Sequence, residues 1–182
     1  DLLSIWKPAM STVAYHYLLY HVVANRLKTA VAEFAPSAKK MPLDTWILPW
    51  LPIMGTHHIP ELLEDVRRKL QQVLGATSAK DGVNMCLPFK ERLDSHNWAQ
   101  LMARGVLPKI ESLLRQMEID PSDQQLGAWH EALEWSELVS SEALAMVLSE
   151  SGFWRKWFQR LGQWLHQPDA DLEQVQAWYT SW

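Results

Sequence analysis

Apolar side chains recur along this chain at helical spacing. Leu62, Leu63, Val66, Leu70, Val73 and Leu74 fall on one face of a helix, which predicts an amphipathic helix there. Pro60 suits its first turn, and Gly75 suits a left-handed residue just past its end. Glu64 and Arg68 lie one turn apart on its wet side. A second stripe, from Trp98 through Leu101, Val106, Ile110 and Leu114 to Met117, predicts a helix over 98–117 that Pro108 kinks or splits. Asp120-Pro121-Ser122-Asp123 reads as a helix start. Ser140 or Ser141 suits the cap of the next helix, and Gly152 divides that helix from one over 153–166. Pro168 stops the latter, and Asp169 or Asp171 starts the last. No run alternates apolar and polar as a half-buried strand does, so Asp81-Gly82 reads as a loop between helices. The predicted class is all-α.

Four segments share one pattern: apolar, two residues, basic, apolar, two residues, small or apolar, apolar. They run over 23–31, 66–74, 106–114 and 153–161, with basic positions Arg26, Lys69, Lys109 and Lys156 spaced 43, 40 and 47 residues apart. About 20 residues before each lies an aromatic: Trp6 and Trp50, each with an adjoining Lys-Pro or Leu-Pro, then Phe89 after Pro88, and Trp135 alone. That period is the length of a two-helix repeat of the HEAT type. The expected architecture is a HEAT-like α-solenoid of stacked helical hairpins, a superhelical array in which each hairpin buries its apolar face on the next. It is read as one helical-repeat domain over 1–182, with units of about 1–40, 41–82, 83–122 and 123–182. An irregular bundle with chance similarity remains the alternative, because amphipathic helices resemble one another.

Composition narrows the function classes. The chain has 182 residues with 48% hydrophobic and 21% charged content, which excludes intrinsic disorder. It carries 17 basic and 21 acidic residues, a formal charge of −4, so no global field draws it to nucleic acid or anionic lipid. One cysteine, Cys86, rules out an intrachain disulfide and suggests a reducing compartment. The longest near-apolar run, Val13 to Ala24, is too short for a bilayer and holds His16 and His21, so no membrane partner is expected. The first residue is Asp1, with no signal-peptide pattern; the chain is expected to be a piece of a longer protein.

Catalytic and metal-binding patterns are missing. Cys86 has no Cys or His partner at zinc-ligand spacing, adjacent His57 and His58 point apart on any regular element, and no Glu stands three residues before a His. Glu61, Glu64 and Asp65, like Glu131, Glu134 and Glu137, line single helix faces, where a solvated rim is the simpler reading. There is no Gly-x-Ser-x-Gly elbow, phosphate-binding glycine loop or His-Glu-x-x-His. The expectation is a non-enzyme with no cofactor and no metal.

What remains unusual is 11 Trp against 4 Phe and 4 Tyr. Each buries a large area and can cement stacked helices or anchor a partner. The candidate anchors are Trp46, Trp50, Phe89, Trp135, Trp154, Trp157 and Trp164. Trp154, Trp157, Leu161, Trp164 and Leu165 share one helix face, which favours a core or partner-binding stripe over base stacking. Arg67, Arg68 and Lys69, with Arg155, Lys156 and Arg160, are candidate contacts for RNA or an acidic partner.

Trp46-Ile47-Leu48-Pro49-Trp50-Leu51-Pro52 resembles the Trp-x-x-Pro-Trp-x-Pro signature of the GC-rich-sequence DNA-binding-factor-like domain, found in the tuftelin-interacting protein family. Leu87-Pro88-Phe89-Lys90 resembles that family's Pro-Trp-Lys element with Phe for Trp, and Val106-Leu107-Pro108-Lys109-Ile110 is similar to its (Ile/Val)-x-Pro-Lys-Leu helix. Trp129 to Trp135, and Gln163-Trp164-Leu165 through Trp178-Tyr179-Thr180-Ser181-Trp182, resemble its later Trp-rich segments. The resemblance implies a nuclear scaffold in pre-mRNA splicing that helps a DEAH-box RNA helicase dismantle the intron-lariat spliceosome. It implies spliceosomal proteins as partners, with the helicase engaged through a G-patch outside this chain, and an indirect contact with RNA. The leading alternative function is an RNA-contacting helical repeat.

Overall fold

The computed structural model describes residue 5, residues 7–36 and residues 41–182, and the side chains of all of these but 55–58. Trp6 and the side chains of His57 and His58 lie outside the described residues. Every regular element among the described residues is helical. The chain divides into two compact units, one of Asp1–Thr77 with Asn84–Leu101, the other of Ser78–Val83 with Met102–Trp182.

In the first unit, α1 (Thr12–Tyr17) passes through a wider π-type segment, Leu18–Ala24, into α2 (Asn25–Glu33). A short α3 (Leu43–Ile47) precedes the long α4 (Gly55–Leu74), and α6 (Ser95–Leu101) comes later; α5 (Ala79–Cys86) is divided, its residues up to Val83 belonging to the second unit. Leu62, Val66, Leu70 and Leu74 of α4 recur every fourth residue and are fully buried, and α4 packs against both α2 and α6. Each such leucine contributes about 1.5–3 kcal/mol of burial. Arg67 is buried on the same helix. Its Nε donates to Asn97 Oδ1 at 2.9 Å and its Nη1 to Gln71 Oε1 at 3.2 Å, which ties α4 to α6. Asn97 in turn donates its backbone N–H and its amide to Asp94 at 2.8 and 2.7 Å. Those two bonds, the backbone one first, hold the Asp94 carboxyl below its ordinary range.

Proline makes two corners with one geometry. Leu48–Trp50 and Leu87–Phe89 are single 3-10 turns, each with Pro in the middle, where a missing N–H is tolerated. Leu51 N bonds Leu48 O at 3.2 Å, and Trp50 O accepts from both Ile53 and Met54 at 3.0 Å. The same three bonds recur 39 residues later: Lys90 to Leu87 at 3.1 Å, then Arg92 and Leu93 to Phe89 at 3.0 and 2.9 Å. Ile47 and Met54 are buried at the first corner, and Cys86 and Leu93 at the second. Trp46–Pro52 is thus a short kinked helical segment, and its twin begins at Cys86. Burial alone pushes the Cys86 thiol up to about 12.

In the second unit a π-type segment, Met102–Val106, leads into α7 (Leu107–Gln116). It surrounds Arg104, whose carbonyl loses its helical donor to Pro108; the expected interruption of the 98–117 stripe sits there. Then follow α8 (Gly127–Ser136), α9 (Ser141–Glu150), α10 (Phe153–Leu165) and α11 (Leu172–Thr180). Here α7 packs on α8 and α9, α9 on α10, and α10 on α11. The fully buried Trp135 of α8 lies under Lys109, whose Nζ is 4.7 Å from the ring centroid.

Two of the pattern's basic residues do the same task. Lys69 Nζ donates to Ala32 O at 2.6 Å, at the C-terminal end of α2. Lys156 Nζ donates to Leu114 O, Arg115 O and Met117 O at 3.1, 2.9 and 2.7 Å, at the C-terminal end of α7. Each cation satisfies carbonyls that have no donor within their own helix.

Four local expectations are corrected. Gly75 has φ −50°, an ordinary helical value, so the helix tightens into its last turn rather than reversing hand; the left-handed glycine is Gly152, φ 76°, before α10. The long helix begins at Gly55, so Pro60 lies inside it, not in its first turn. Asp81 and Gly82 are within α5, because Ser78 accepts from Asp81 N at 3.2 Å and starts a helix there. Asp120 caps only a turn, accepting from Ser122 N and Oγ at 3.0 and 2.6 Å, and the helix waits until Gly127. Ser140 and Asp171, by contrast, cap α9 and α11 as expected.

Four outcomes follow for purified protein. Gly152→Ala should lower stability by about 1–2 kcal/mol purely through backbone strain, since a Cβ there meets nothing within 4 Å. Gly75→Ala should be neutral or stabilising; thermal unfolding followed by circular dichroism separates the two. Lys156→Met keeps the aliphatic stem and loses three charge-assisted bonds, so it should cost about 1.5–3 kcal/mol, seen as a lower denaturant midpoint at unchanged m-value. Cys86 should react with a disulfide reagent at neutral pH at the rate of unfolding, and native-state reaction at the free-thiol rate would contradict its burial.

Candidate partner-docking surface

Helix α10 is apolar on more than one side. Its inner face, Phe153 and Trp157, is buried. Trp129 stacks on Phe153 with centroids 5.0 Å apart, and Trp178 stacks on Trp157 at 5.3 Å. Trp164 meets Trp178 edge-on at 6.0 Å, and Trp182 packs edge-on against Trp129, Phe153 and Trp178 at 5.8, 5.6 and 5.8 Å. Each pair adds about 0.5–1.5 kcal/mol beyond its buried area. This cluster fixes α10 against α8 and α11, and so fixes what α10 shows to solvent.

The outer face carries Trp154, Phe158 and Leu165, which are 41%, 61% and 46% exposed. With half-buried Leu161 they occupy positions i, i+4, i+7 and i+11, one continuous stripe. Trp154 and Phe158 lie 5.9 Å apart, and Phe158 and the exposed Tyr179 of α11 both touch Trp157, at 5.1 and 5.6 Å. The expected stripe of Trp154 with Trp157 and Trp164 is thus split: Trp157 and half-buried Trp164 belong to the aromatic cluster, and Trp154 belongs to the surface.

The other predicted anchors are structural. Trp46 and Trp50 are half-buried at the first proline corner, Phe89 is fully buried at the second, and Trp135 is fully buried in α8. The basic candidates do not gather into one exposed strip. Arg67, Lys69 and Lys156 donate inward, as described above. Arg68 is exposed and paired with Asp65 at 2.7 Å and Glu64 at 3.8 Å. Arg160 Nη1 lies 3.4 Å from Gln163 Oε1. Arg155 is exposed and has no bonding partner among the described residues.

A second surface, in the first unit, was not singled out by sequence reasoning. A cavity of about 730 Å³ is lined by Met10, Val13, His16, Tyr17, Tyr20 and Met54, among others. His21 lies against Tyr17 and Tyr20 with ring centroids 4.4 and 4.7 Å away. The available signal was the cluster of Tyr and His inside the run from Val13 to Ala24. Among the described residues no group of His, Cys, Asp and Glu is arranged to hold a metal ion, and no helix is long and apolar enough to cross a membrane.

Comparison with known proteins bears on what such surfaces serve. Septin-interacting protein 1 of Drosophila melanogaster is 30% identical over 184 aligned residues, covering 100% of this chain and 22% of that protein. Septin and tuftelin-interacting protein 1 homolog of Dictyostelium discoideum is 26% identical over 221 residues, covering 100% and 24%. Tuftelin-interacting protein 11 of Rattus norvegicus is 29% identical over 184 residues, covering 100% and 22%. The chain therefore spans about a fifth to a quarter of the length of these relatives. The sequence pattern of one family, described as GC-rich sequence DNA-binding factor-like protein, matches residues 1–161. That span includes both proline corners, both lysine-capped helix ends and the Trp154 stripe as far as Leu161, and the chain belongs to the GC-rich sequence DNA-binding factor-like protein family.

Proposed function

We propose that this chain is a non-catalytic protein-interaction scaffold. One observation carries the reading: relatives matched along its whole length are named as septin- and tuftelin-interacting proteins. The apolar side chains left on the surface of α10 and α11 are of the kind that anchor protein partners. The finer reading follows the family resemblance. The chain works in the nucleus, in pre-mRNA splicing, among spliceosomal proteins, and assists a DEAH-box helicase that dismantles the intron-lariat spliceosome and is engaged outside residues 1–182. Its helices stack as two-helix hairpins, a reading supported by the repeated proline corners and the paired lysine caps.

Affinity purification of the full-length protein, with and without residues 1–182, tests the role. Loss of spliceosomal proteins on deletion is the expected result, and an unchanged set of partners would refute it. An RNA-contacting module would instead bind RNA with an affinity that falls steeply with salt. Arg68→Glu with Arg155→Glu, at two exposed positions, should leave any residual RNA affinity and its salt slope nearly unchanged in a scaffold.

A further inference from the structure

The lysine caps set α4 and α10 in one register. Lys69 of α4 reaches Ala32, next to last in α2, and Lys156 of α10 reaches Arg115, next to last in α7. Both α2 and α7 are entered through a π-type segment. In that register Val66 and Leu70 correspond to Phe153 and Trp157, and all four are buried. The next face differs. Arg67, Gln71 and Leu74 correspond to Trp154, Phe158 and Leu161. On α4 this face is covered: Arg67 is 6% exposed, Leu74 is fully buried, and the Arg67 guanidinium joins Gln71 to Asn97 of α6. On α10 it is open, with Trp154 and Phe158 exposed and Leu161 half-buried. Among the described residues, α10 has the counterpart of α2 on one side and no counterpart of α6 on the other.

We propose that a helix of the same polypeptide, from the segment that follows Trp182 in the full-length protein, packs on Trp154 and Phe158 in the place that α6 takes on α4. The inference rests on the reading of these helices as stacked hairpins and adds the next member of the stack. Along the chain, α5 lies between α4 and α6, and α11 is the helix after α10, so the counterpart of α6 is the helix after α11. Its chemistry follows from the substitution of Trp and Phe for Arg and Gln. The covering helix presents apolar side chains where α6 presents Asn97, because an amide set against those rings would be buried without a partner. Charge does not choose the occupant, since exposed Glu150 and exposed Arg155 stand at the same end of the stripe. A second copy stacked in this way would leave its own α10 face open, a head-to-tail contact that does not close. Single-stranded RNA is disfavoured by the rings: Trp154 is tilted 31° against Phe158 and lies edge-on to Phe153 and Trp157, so its faces are shared with neighbours. Leu172 and Tyr179 of α11 are not members of this stripe and remain exposed.

Two measurements on the purified full-length protein test this. Hydroxyl-radical footprinting reads side-chain exposure without any substitution. Trp154 and Phe158 should be oxidised about fivefold or more slowly than in a free peptide of residues 150–162, because a packed contact excludes water, and rates within about twofold would overturn the proposal. In the second measurement a photoreactive benzophenone amino acid replaces Phe158, and a mixture of isotope-labelled and unlabelled protein is irradiated and mapped by mass spectrometry. The expected cross-link joins position 158 to residues after 182 of the same chain. Cross-links between labelled and unlabelled chains, cross-links confined to residues 1–182, or none at all would overturn the proposal. The same replacement at Gln71 is the control and should reach α6. If position 71 reaches α6 and position 158 does not reach the following segment, the inference falls and the stacked-hairpin reading stands. If position 71 does not reach α6, the stacked-hairpin reading falls and the inference with it.

Discussion

A helix that ends inside a protein leaves carbonyl oxygens with no donor, and this fold answers that constraint with lysines borrowed from another helix. Lys69 serves the end of α2 and Lys156 the end of α7. Both donors come about forty residues after the carbonyls they reach, so each ties one helical segment to the next in the pattern. The arrangement fixes the rotation of the donating helix as well as its distance. With Lys156 held on α7, the other faces are committed: Phe153 and Trp157, about 60° and 100° around the helix from it, go inward, and Trp154 and Phe158, about 160° away, go outward. The surface proposed to receive a further helix is thus a by-product of a capping interaction on the opposite side of the same helix.

The aromatic cluster reinforces that commitment. Trp129, Phe153, Trp157, Trp164, Trp178 and Trp182 form a chain of stacked and edge-on contacts across three helices and the last residue. Aromatic pairs are directional, so they resist the small rotations that aliphatic contacts tolerate. A binding face is useful to a scaffold only if it is held still, and tryptophan provides that at a site where one helix must keep two apolar sides.

Much of this was legible in the chain itself. The helical class followed from apolar spacing, and the interruption of the 98–117 stripe followed from the backbone donor that Pro108 lacks. Ser140, Gly152 and Asp171 marked boundaries because each has one strong local preference. The failures have physical causes too. Asp120-Pro121-Ser122-Asp123 satisfied its cap within a turn and had no apolar face behind it, so no helix started. Gly75 was assigned a left-handed role on its residue type, yet the helix closed by tightening. On α10 periodicity put Trp154 on one face with Trp157 and Trp164, and the structure splits them, because Phe153, Trp154, Trp157, Phe158, Leu161, Trp164 and Leu165 leave few polar positions to mark the wet side. The basic clusters looked like a binding strip because sequence gives charge without direction. Arg67 was already spent on Asn97, and Lys69 on Ala32.

The π-type segment at Leu18–Ala24 has an effect beyond its own width. Buried positions along α1 and α2 fall at Tyr15, Leu19, Ala24, Leu27 and Val31, steps of four, five, three and four. The step of five lies within the wide segment, where one residue more than a regular turn is absorbed without rotating the rest. The segment thus acts as a phase corrector: loss of a single residue there would convert it to ordinary helix and leave Leu27 and Val31 facing the core. Length variation by one residue can be tolerated at this point of the helix, while the same change one turn after it would swing the packed face into water.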